Sequence, residues 1–181
     1  MRGGDKRRVL ESYDTLGGRV YDVRYRSEQT AKYDVILRHM IQSTGEIVLD
    51  DGCGTGLLLE RLESHAVGID LSHGLLSKAR SRLRDRRRTH LVQADADRLP
   101  FREAVFDKVF AVTLIQNTPE PEHTLGEIRR VARAGSEIAV TALRRSFTSQ
   151  GFRQLLDTSG FTLRSLVGDE ALMDWIAFMA P

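Results

Sequence analysis

The sequence predicts an α/β protein built on a parallel, doubly wound sheet. Short apolar runs of strand length alternate with segments whose apolar residues recur at helical spacing, which is typical of repeated βαβ units. A glycine-rich turn at residues 52–56 joins the first apolar run to the next helical segment. The length of 181 residues predicts a single domain, with an N-terminal cover segment and helix at residues 1–42 and a core at residues 43–181.

The strands follow from the positions of the apolar runs. Apolar residues at helical intervals first predict an amphipathic helix, at Tyr33, Ile36, Leu37 and Met40. Five apolar segments then predict parallel strands, at Glu46–Asp50, Ala66–Ile69, His90–Gln93, Asp107–Thr113 and Ser136–Ala142. Leu163–Val167 and Trp175–Met179 are close enough along the chain to form a closing antiparallel pair.

The helices between the strands are predicted from their caps and apolar stripes. We expect a helix carrying Leu58, Leu59 and Leu62 directly after the glycine-rich turn. Ser72 is placed to cap the next helix. Thr118 and Pro119 predict an N-cap followed by proline at the first helical position. A last helix with Phe152, Leu155 and Leu156 on its apolar face is expected to end near Gly160.

The composition predicts a soluble cytoplasmic protein that does not enter a membrane. Apolar residues make up 41% of the chain and charged residues 29%, and the longest apolar runs have strand length. The single cysteine, Cys53, excludes an internal disulfide, and the five histidines show no ligand spacing, so we expect no metal site. Net charge is only +2, but basic residues cluster at Lys78–Arg88. This cluster is either a solvated helix face or a patch that contacts phosphates.

The glycine-rich turn predicts a ligand close to the backbone at the end of the first strand. Gly52, Gly54 and Gly56 stand at alternate positions after an apolar run. Glycine allows positive φ and has no Cβ to block such an approach, while the helix expected to follow would offer free N–H groups. The turn therefore predicts a nucleotide-type site at the carboxyl edge of the sheet.

Two details favour S-adenosylmethionine (SAM) over a dinucleotide. A dinucleotide fingerprint requires glycine or alanine at position 57, where this chain has Leu57. Asp50 and Asp51 place carboxylates beside the turn, where they would repel a pyrophosphate and attract a cationic ligand. SAM carries an ammonium and a sulfonium and no phosphate. We assign Asp50 to the methionine ammonium and interpret Cys53 as a small residue of the turn.

Carboxylates after the second and third strands predict the rest of the cofactor pocket. Asp70 follows Asp50 by twenty positions, the spacing at which a carboxylate accepts both ribose hydroxyls. Asp95 is placed to accept the adenine amine. The alternatives are that Asp70 caps the Ser72 helix and that Asp95 only stabilises a turn. Further pocket residues are expected at Leu71 and Ala96, which would flank the adenine ring, and at Ala94 and Thr113.

From about Tyr13 to Val140, the chain resembles class I SAM-dependent methyltransferases of the type found in ubiquinone and menaquinone biosynthesis. The resemblance rests on motifs in the family's order and spacing: Val-Leu-Asp-Asp-Gly-Cys-Gly-Thr-Gly at 48–56, Gly-Ile-Asp-Leu-Ser at 68–72, Ala-Asp-Ala-Asp-Arg-Leu-Pro-Phe at 94–101, Phe-Asp-Lys-Val-Phe at 106–110, Pro-Glu-Pro at 119–121 and Leu-Gly-Glu-Ile-Arg-Arg-Val at 125–131. It implies a Rossmann-like class I methyltransferase fold with a seven-stranded, mostly parallel sheet flanked by helices. The implied strand order is 3-2-1-4-5-7-6, with strand 7 antiparallel.

The family resemblance also implies roles for individual residues. Residues equivalent to Asp70 and Asp95 hold ribose and adenine in that family, and a tyrosine of the N-terminal segment covers the cofactor. Tyr21 or Tyr25 would be that tyrosine, or both are ordinary half-buried aromatics. The chain departs from the family pattern at residues 134–136 and at Gln116 and Asn117, where many relatives carry two histidines. The second departure leaves the acceptor open.

Methyl transfer from SAM needs alignment of the acceptor more than a protein nucleophile. We assign no catalytic residue and expect Gln116 and Asn117, at the end of the fourth strand, either to orient an acceptor nitrogen or only to line the pocket. The predicted function is methylation of a small-molecule acceptor, with S-adenosylhomocysteine (SAH) as product. Alternatives are an RNA methyltransferase, acting on tRNA or rRNA with a small zinc-binding activator protein, and a catalytically silent SAM-binding subunit. The oligomeric state stays open.

Overall fold

The computed structural model describes residues 26–41, 43–169 and 171–181. Residues 26–39 form the first helix, α1. The seven strands are β1 (Ile47–Asp51), β2 (His65–Asp70), β3 (Thr89–Gln93), β4 (Phe106–Ala111), β5 (Ala132–Leu143), β6 (Thr162–Val167) and β7 (Asp174–Ala180). The other α-helices are α2 (His73–Arg82), α3 (Pro121–Val131) and α4 (Ser149–Thr158). Short 3-10 helices lie at Leu59–Arg61 and Ile115–Asn117.

The seven strands form one sheet in the order β3-β2-β1-β4-β5-β7-β6. Strands β1 to β5 pair in parallel, and β7 runs antiparallel to both β5 and β6. This confirms the predicted fold and strand order. The chain leaves β1 towards β2 and β3, then returns to β4 on the other side of β1. A crevice at the carboxyl ends of β1 and β4 is the usual ligand position in such sheets.

Both faces of the sheet are covered by helices, so its central strands are buried on both sides. Val109 of β4 belongs to the apolar cluster under α3 and α4, whereas the next residue, Phe110, belongs to the cluster under α1 and α2. Side chains alternate in the same way along β1. Consecutive residues at the end of a strand therefore face different sides of the sheet, which matters for Asp50 and Asp51 below.

The predicted α-helix after the glycine-rich turn is wrong. Only Leu59–Arg61 is helical there, as a single 3-10 turn. The three glycines have φ of 80°, 54° and 79°, and these left-handed residues keep the chain in successive turns until just before the 3-10 helix. Leu58, Leu59 and Leu62 are nevertheless buried, as their spacing predicted.

The predicted start of α3 at Thr118 and Pro119 is also wrong. The helix begins at Pro121, so the second proline of the Pro-Glu-Pro motif lies in its first turn. Thr118 instead closes the preceding 3-10 helix, because its hydroxyl donates to the Ile115 carbonyl at 2.9 Å. The predicted cap of α2 is confirmed, since Ser72 Oγ accepts from the Leu75 N–H at 3.1 Å.

Two strand boundaries differ from prediction by more than one residue. β4 ends at Ala111, because Thr113 has a left-handed φ of 58° that does not fit a strand. β5 begins at Ala132, directly after α3, and its pairing with β4 shifts register between Phe106 and Lys108. The described residues contain no helix long and apolar enough to span a membrane.

Candidate functional site

A cavity opens at the carboxyl ends of the central strands, and we call it the central cavity. Nine of the predicted site residues line it: Gly52, Gly54, Asp70, Leu71, Ala94, Asp95, Ala96, Thr113 and Asn117. Asp51, Ser72, Leu75, Leu114 and Thr118 line it as well. Its described lining residues include no lysine, arginine or histidine, so the cavity favours a neutral or cationic ligand.

The three glycines of the turn differ in what surrounds them. A Cβ added at Gly54 would meet nothing within 4 Å, which leaves the backbone open to a ligand. One added at Gly52 would come within 3.0 Å of Leu114 Cδ1. One at Gly56 would come within 2.9 Å of Leu83 Cδ1, at the end of α2. Gly56 lines none of the three cavities and instead lets the turn pack closely against α2.

The Asp70 carboxylate fastens the turn to the end of β2. Its Oδ2 accepts from the Gly54 N–H at 2.9 Å, and its Oδ1 accepts from the Ser72 N–H at 2.8 Å. Each carboxylate oxygen can accept more than one hydrogen bond, so these contacts are compatible with ribose binding. Asp95 accepts from the Asp97 N–H at 3.0 Å, so it stabilises a turn, as the alternative interpretation of this residue predicted. Asp95 also lines the central cavity.

A second, much smaller inner cavity lies on the α1 side of the turn. Asp50 and Cys53 line it together with Gln29 and Tyr33 of α1, which the sequence did not point to. Burial, together with the smaller effect of the neighbouring Asp70 carboxylate, raises the pKa of Asp50 to about 8. Burial also raises the pKa of the Cys53 thiol, which makes it a poor nucleophile. Tyr21 and Tyr25 lie outside the described residues.

Asp51 faces the opposite side of β1 from Asp50. It pairs in register with Ile69, whose side chain belongs to the apolar cluster under α3 and α4. Asp51 is fully buried, and neither carboxylate oxygen has a hydrogen-bond partner among the described residues. Burial, followed by the charges of Asp50, Asp70, Asp97 and Asp95, raises its pKa well above the ordinary value.

A buried polar network holds the end of β4 to α1, β5 and β7. Lys32 of α1 is fully buried and donates from Nζ to Thr113 Oγ1 at 2.6 Å. Lys32 Nζ also lies 3.3 Å from Oδ2 of the fully buried Asp174. The same oxygen accepts hydrogen bonds from Thr113 Oγ1 at 3.0 Å and from Thr141 Oγ1 at 2.6 Å. The network holds Thr113 in its left-handed conformation, which is costly for a β-branched residue. Sequence reasoning missed Lys32 and Asp174, because a charged residue in an amphipathic helix and one at a strand end both look exposed.

A third cavity, the side cavity, lies next to the central one between the start of α3 and one face of α4. Gln116 lines the side cavity, Asn117 lines the central cavity, and Thr118 lines both. The side-chain amides of Gln116 and Asn117 both donate to the Thr113 carbonyl. Gln116 Oε1 is buried and has no hydrogen-bond partner among the described residues.

The basic cluster at Lys78–Arg88 has mixed roles. Arg82 donates to the carbonyl and to Oγ1 of Thr55, at 2.8 Å in the second case, and so supports the glycine-rich turn. Arg86 donates to the Glu60 carbonyl but stays exposed. The remaining basic side chains of the cluster are exposed: Lys78, Arg80, Arg84, Arg87 and Arg88.

Residues 49–140, just over half of the chain, match the family described as methyltransferase domain. The chain is 40% identical over 106 residues to phosphatidylethanolamine N-methyltransferase of Cereibacter sphaeroides, covering 55% of this chain and 52% of that protein. It is 37% identical over 99 residues to demethylmenaquinone methyltransferase of Clavibacter sepedonicus, covering 53% and 40% of the two chains. The chain thus spans about half the length of the curated relatives it matches.

Among solved structures, the fold is similar to that of the methyltransferase in complex with the Haloferax volcanii Trm112 methyltransferase activator. The TM-score is 0.81 at 16% identity, and the superposition covers 93% of this chain and 96% of that one. This similarity concerns the fold. Together with the matched motifs and the strand order, it supports one conclusion about identity: the chain belongs to the methyltransferase domain family.

Proposed function

We propose that this chain binds SAM in the central and inner cavities and transfers its methyl group to a small-molecule acceptor in the side cavity. One observation carries the cofactor assignment. The open backbone at Gly54 lies between carboxylates of β1, β2 and the segment after β3, and no cationic side chain lines the central cavity among the described residues. This arrangement suits an adenosine with a cationic amino-acid arm and disfavours a pyrophosphate.

In this proposal each part of SAM has its own residues. Asp70 accepts the ribose hydroxyls, Asp95 accepts the adenine amine, and Leu71 and Ala96 flank the ring. Asp50 holds the methionine ammonium in the inner cavity, where the Gln29 amide oxygen is also buried without a partner among the described residues. These assignments are supported by the lining of the two adjoining cavities.

When bound, SAM supplies a methyl group on a sulfonium, and transfer to an acceptor lone pair leaves SAH. The protein's part is to align the acceptor and exclude water. Thr113, Asn117 and Thr118 border the central cavity on the side facing the acceptor, and the Lys32–Asp174 network holds this segment in place. We assign no protein nucleophile or catalytic residue. A cytoplasmic location and a single-domain organisation stay predictions.

The side cavity supports a small, uncharged or amine-bearing acceptor. Apolar side chains of Ile115, Phe147 and Leu155 line it together with amides and hydroxyls. Its one charged lining residue among those described is Glu122. As a lining residue, Gln116 would accept a hydrogen bond from the N–H of an amine acceptor, which would leave the amine's lone pair free for the methyl group. The similarity to a phosphatidylethanolamine N-methyltransferase is in keeping with a nitrogen acceptor.

The cofactor assignment is tested by titrating the protein with SAM, SAH and NADH in a calorimeter. We expect SAM and SAH to bind with Kd in the micromolar range or below, on the order of −8 kcal/mol, and NADH not to bind. Asp70→Ala should weaken SAH binding by roughly 1.5–3 kcal/mol, because two ribose hydroxyls lose a charged acceptor. NADH binding in place of SAM, or an Asp70→Ala variant with unchanged affinity, would contradict the assignment.

RNA is the second candidate acceptor, favoured by the exposed basic side chains of α2 and the turn after it. The fold similarity to a methyltransferase bound to the Trm112 activator is compatible with an activator for this chain. Replacing Arg84, Arg87 and Arg88 with glutamate tests the idea, since these side chains are exposed. The RNA hypothesis predicts loss of salt-dependent RNA binding with SAH affinity unchanged. Equal RNA binding by the variant would exclude this surface.

A further inference from the structure

The segment that follows β4 connects the two cavities in which we place the cofactor and the acceptor. Thr113 and Asn117 line the central cavity, and Gln116 lines the side cavity. The side-chain amides of Gln116 and Asn117 both donate to the backbone carbonyl of Thr113, at 3.0 Å for Asn117. The direction of this one carbonyl therefore sets where both amides point.

The backbone of Thr113 has a conformation that needs support from distant residues. Its φ of 58° lies in the left-handed region, which is unfavourable for a β-branched residue. The Thr113 N–H donates to Thr141 Oγ1 at 2.8 Å. The Thr113 hydroxyl accepts from Lys32 Nζ at 2.6 Å and donates to Asp174 Oδ2 at 3.0 Å. The conformation thus depends on contacts with α1, β5 and β7.

Stability alone does not account for the ion pair that holds Thr113. Lys32 and Asp174 are completely buried, and Asp174 Oδ1 has no hydrogen-bond partner among the described residues. Glu28 Oε1, one turn earlier on α1, lies 3.2 Å from Lys32 Nζ. Removing two charges from water can cost more than their attraction contributes, so apolar side chains of similar volume often stabilise a fold equally well. Here the buried charges meet a strained residue that borders the cofactor cavity, and such strain is typical of functional sites.

We propose that Lys32 and Asp174 are positioning residues for methyl transfer. They hold Thr113 in its left-handed conformation, and its carbonyl then keeps the amides of Gln116 and Asn117 in place on the acceptor side of the site. Neither Lys32 nor Asp174 lines the central or the side cavity, so both act through Thr113. This inference rests on the proposed transfer from SAM to an acceptor in the side cavity.

The proposed cofactor contacts lie away from this network. Asp70 ends β2 and Asp95 follows β3, on the other side of β1 from β4 in the sheet. Loss of the network should therefore slow methyl transfer and leave the affinity for SAH nearly unchanged. A role in stability alone would lower the free energy of unfolding and change neither transfer by the folded protein nor SAH affinity.

The test uses the double variant Lys32→Met/Asp174→Leu, which removes both charges and leaves neither buried without its partner. Transfer from methyl-labelled SAM to a metabolite extract measures turnover, calorimetry with SAH measures cofactor affinity, and urea unfolding measures stability. Lys108→Met is the matched control. Lys108 is also a buried lysine with two carboxylate partners, but it lies near the amino end of β4, away from the cavities.

We expect the double variant to bind SAH within about threefold of the wild type and to transfer label about tenfold more slowly or worse. Adding Thr113→Gly should raise that rate at least about threefold, because glycine adopts left-handed φ without support. Lys108→Met should transfer label at nearly the wild-type rate. If the double variant does not fold, Thr141→Val replaces it, since it removes the hydroxyl that accepts from the Thr113 N–H, and slower transfer with unchanged SAH affinity is again expected.

Four outcomes overturn the inference alone. The folded double variant transfers label at the wild-type rate, or its SAH affinity falls as much as its transfer rate, which would assign the network to the cofactor. Thr113→Gly recovers none of the lost rate, or Lys108→Met slows transfer as much as the double variant does. Absence of labelled small molecules with the wild-type protein is a different result, because it overturns the proposed function and this inference with it.

Discussion

The raised pKa of Asp50 predicts that cofactor binding depends on pH and releases a proton. The free protein holds this carboxyl neutral below about pH 8, because it is buried and lies near Asp70. The proposed partner is an ammonium group, which binds the ionised form. Binding must therefore displace the proton, and affinity should rise with pH up to about 8.

The expected size of the effect follows from the linkage between protonation and binding. Below the pKa of the free protein, affinity changes by up to tenfold per pH unit when one proton is released. Between pH 6 and the Asp50 pKa of about 8, the ratio of Kd values is then up to roughly 100-fold, or about 2.7 kcal/mol at 1.36 kcal/mol per pH unit. Asp50→Asn should remove the pH dependence and bind SAH at pH 8 about as weakly as the wild type does at pH 6.

The assay is calorimetric titration with SAH between pH 6 and 8 in buffers of different ionisation enthalpy, which counts released protons. Adenosine is the matched ligand control, because it lacks the ammonium and should bind with little pH dependence. A wild-type SAH affinity that stays constant from pH 6 to 8, or an equal slope for adenosine, would refute the assignment of Asp50 to the ammonium.

Three further predictions concern stability and access to the site. Folded Asp50 holds a proton that the unfolded chain loses above its ordinary pKa of 3.8. The stability that depends on this proton is therefore fully present below pH 3.8 and falls as pH rises from there to about 8, by up to about 1.4 kcal/mol per pH unit. Urea unfolding at several pH values should show this fall, and Asp50→Asn should reduce the slope. Gly54→Val should lose SAH binding by more than roughly 100-fold, because its side chain enters the cavity and because a β-branched residue is strained at the left-handed φ of 54°. A variant that binds SAH normally would contradict the turn's role. Lys32→Met should lower the free energy of unfolding by about 3–5 kcal/mol, because it leaves Asp174 buried without its cation. The double variant Lys32→Met/Asp174→Leu should recover most of this free energy. A Lys32→Met variant as stable as the wild type would contradict the proposed role of the network.

The fold was predictable from the sequence because its signals are local. The Gly52–Gly56 turn, the strand-length runs and the Ser72 cap each lie within a few residues, and five of the seven strands were placed to within one residue. The strand order came from the resemblance carried by these motifs. Pro121 rather than Pro119 begins α3, because the competing 3-10 helix at Ile115–Asn117 depends on the Thr118 hydroxyl, a choice that local spacing does not reveal.

The candidate site was predictable where it follows strand ends and not where it depends on distant contacts. Asp70 and Asp95 follow parallel strands, so their meeting at one edge could be inferred. Lys32 and Asp174 come from opposite ends of the chain, and their pairing depends on how α1 packs over β5 and β7. The left-handed φ of Thr113 depends on that pairing and had no sequence signal. Gly56 had the same local pattern as Gly54, and only its contact with α2 distinguishes it.

The central claim is that this chain moves a methyl group from SAM to a small molecule. The most direct measurement is incubation with methyl-labelled SAM and either a metabolite extract or total cellular RNA, each with and without a Trm112-type activator. The account predicts label in small molecules, no label in RNA, and no transfer by Gly54→Val. Label found only in RNA would contradict the acceptor class, and absence of label from every fraction despite SAM binding would indicate a catalytically silent SAM-binding subunit.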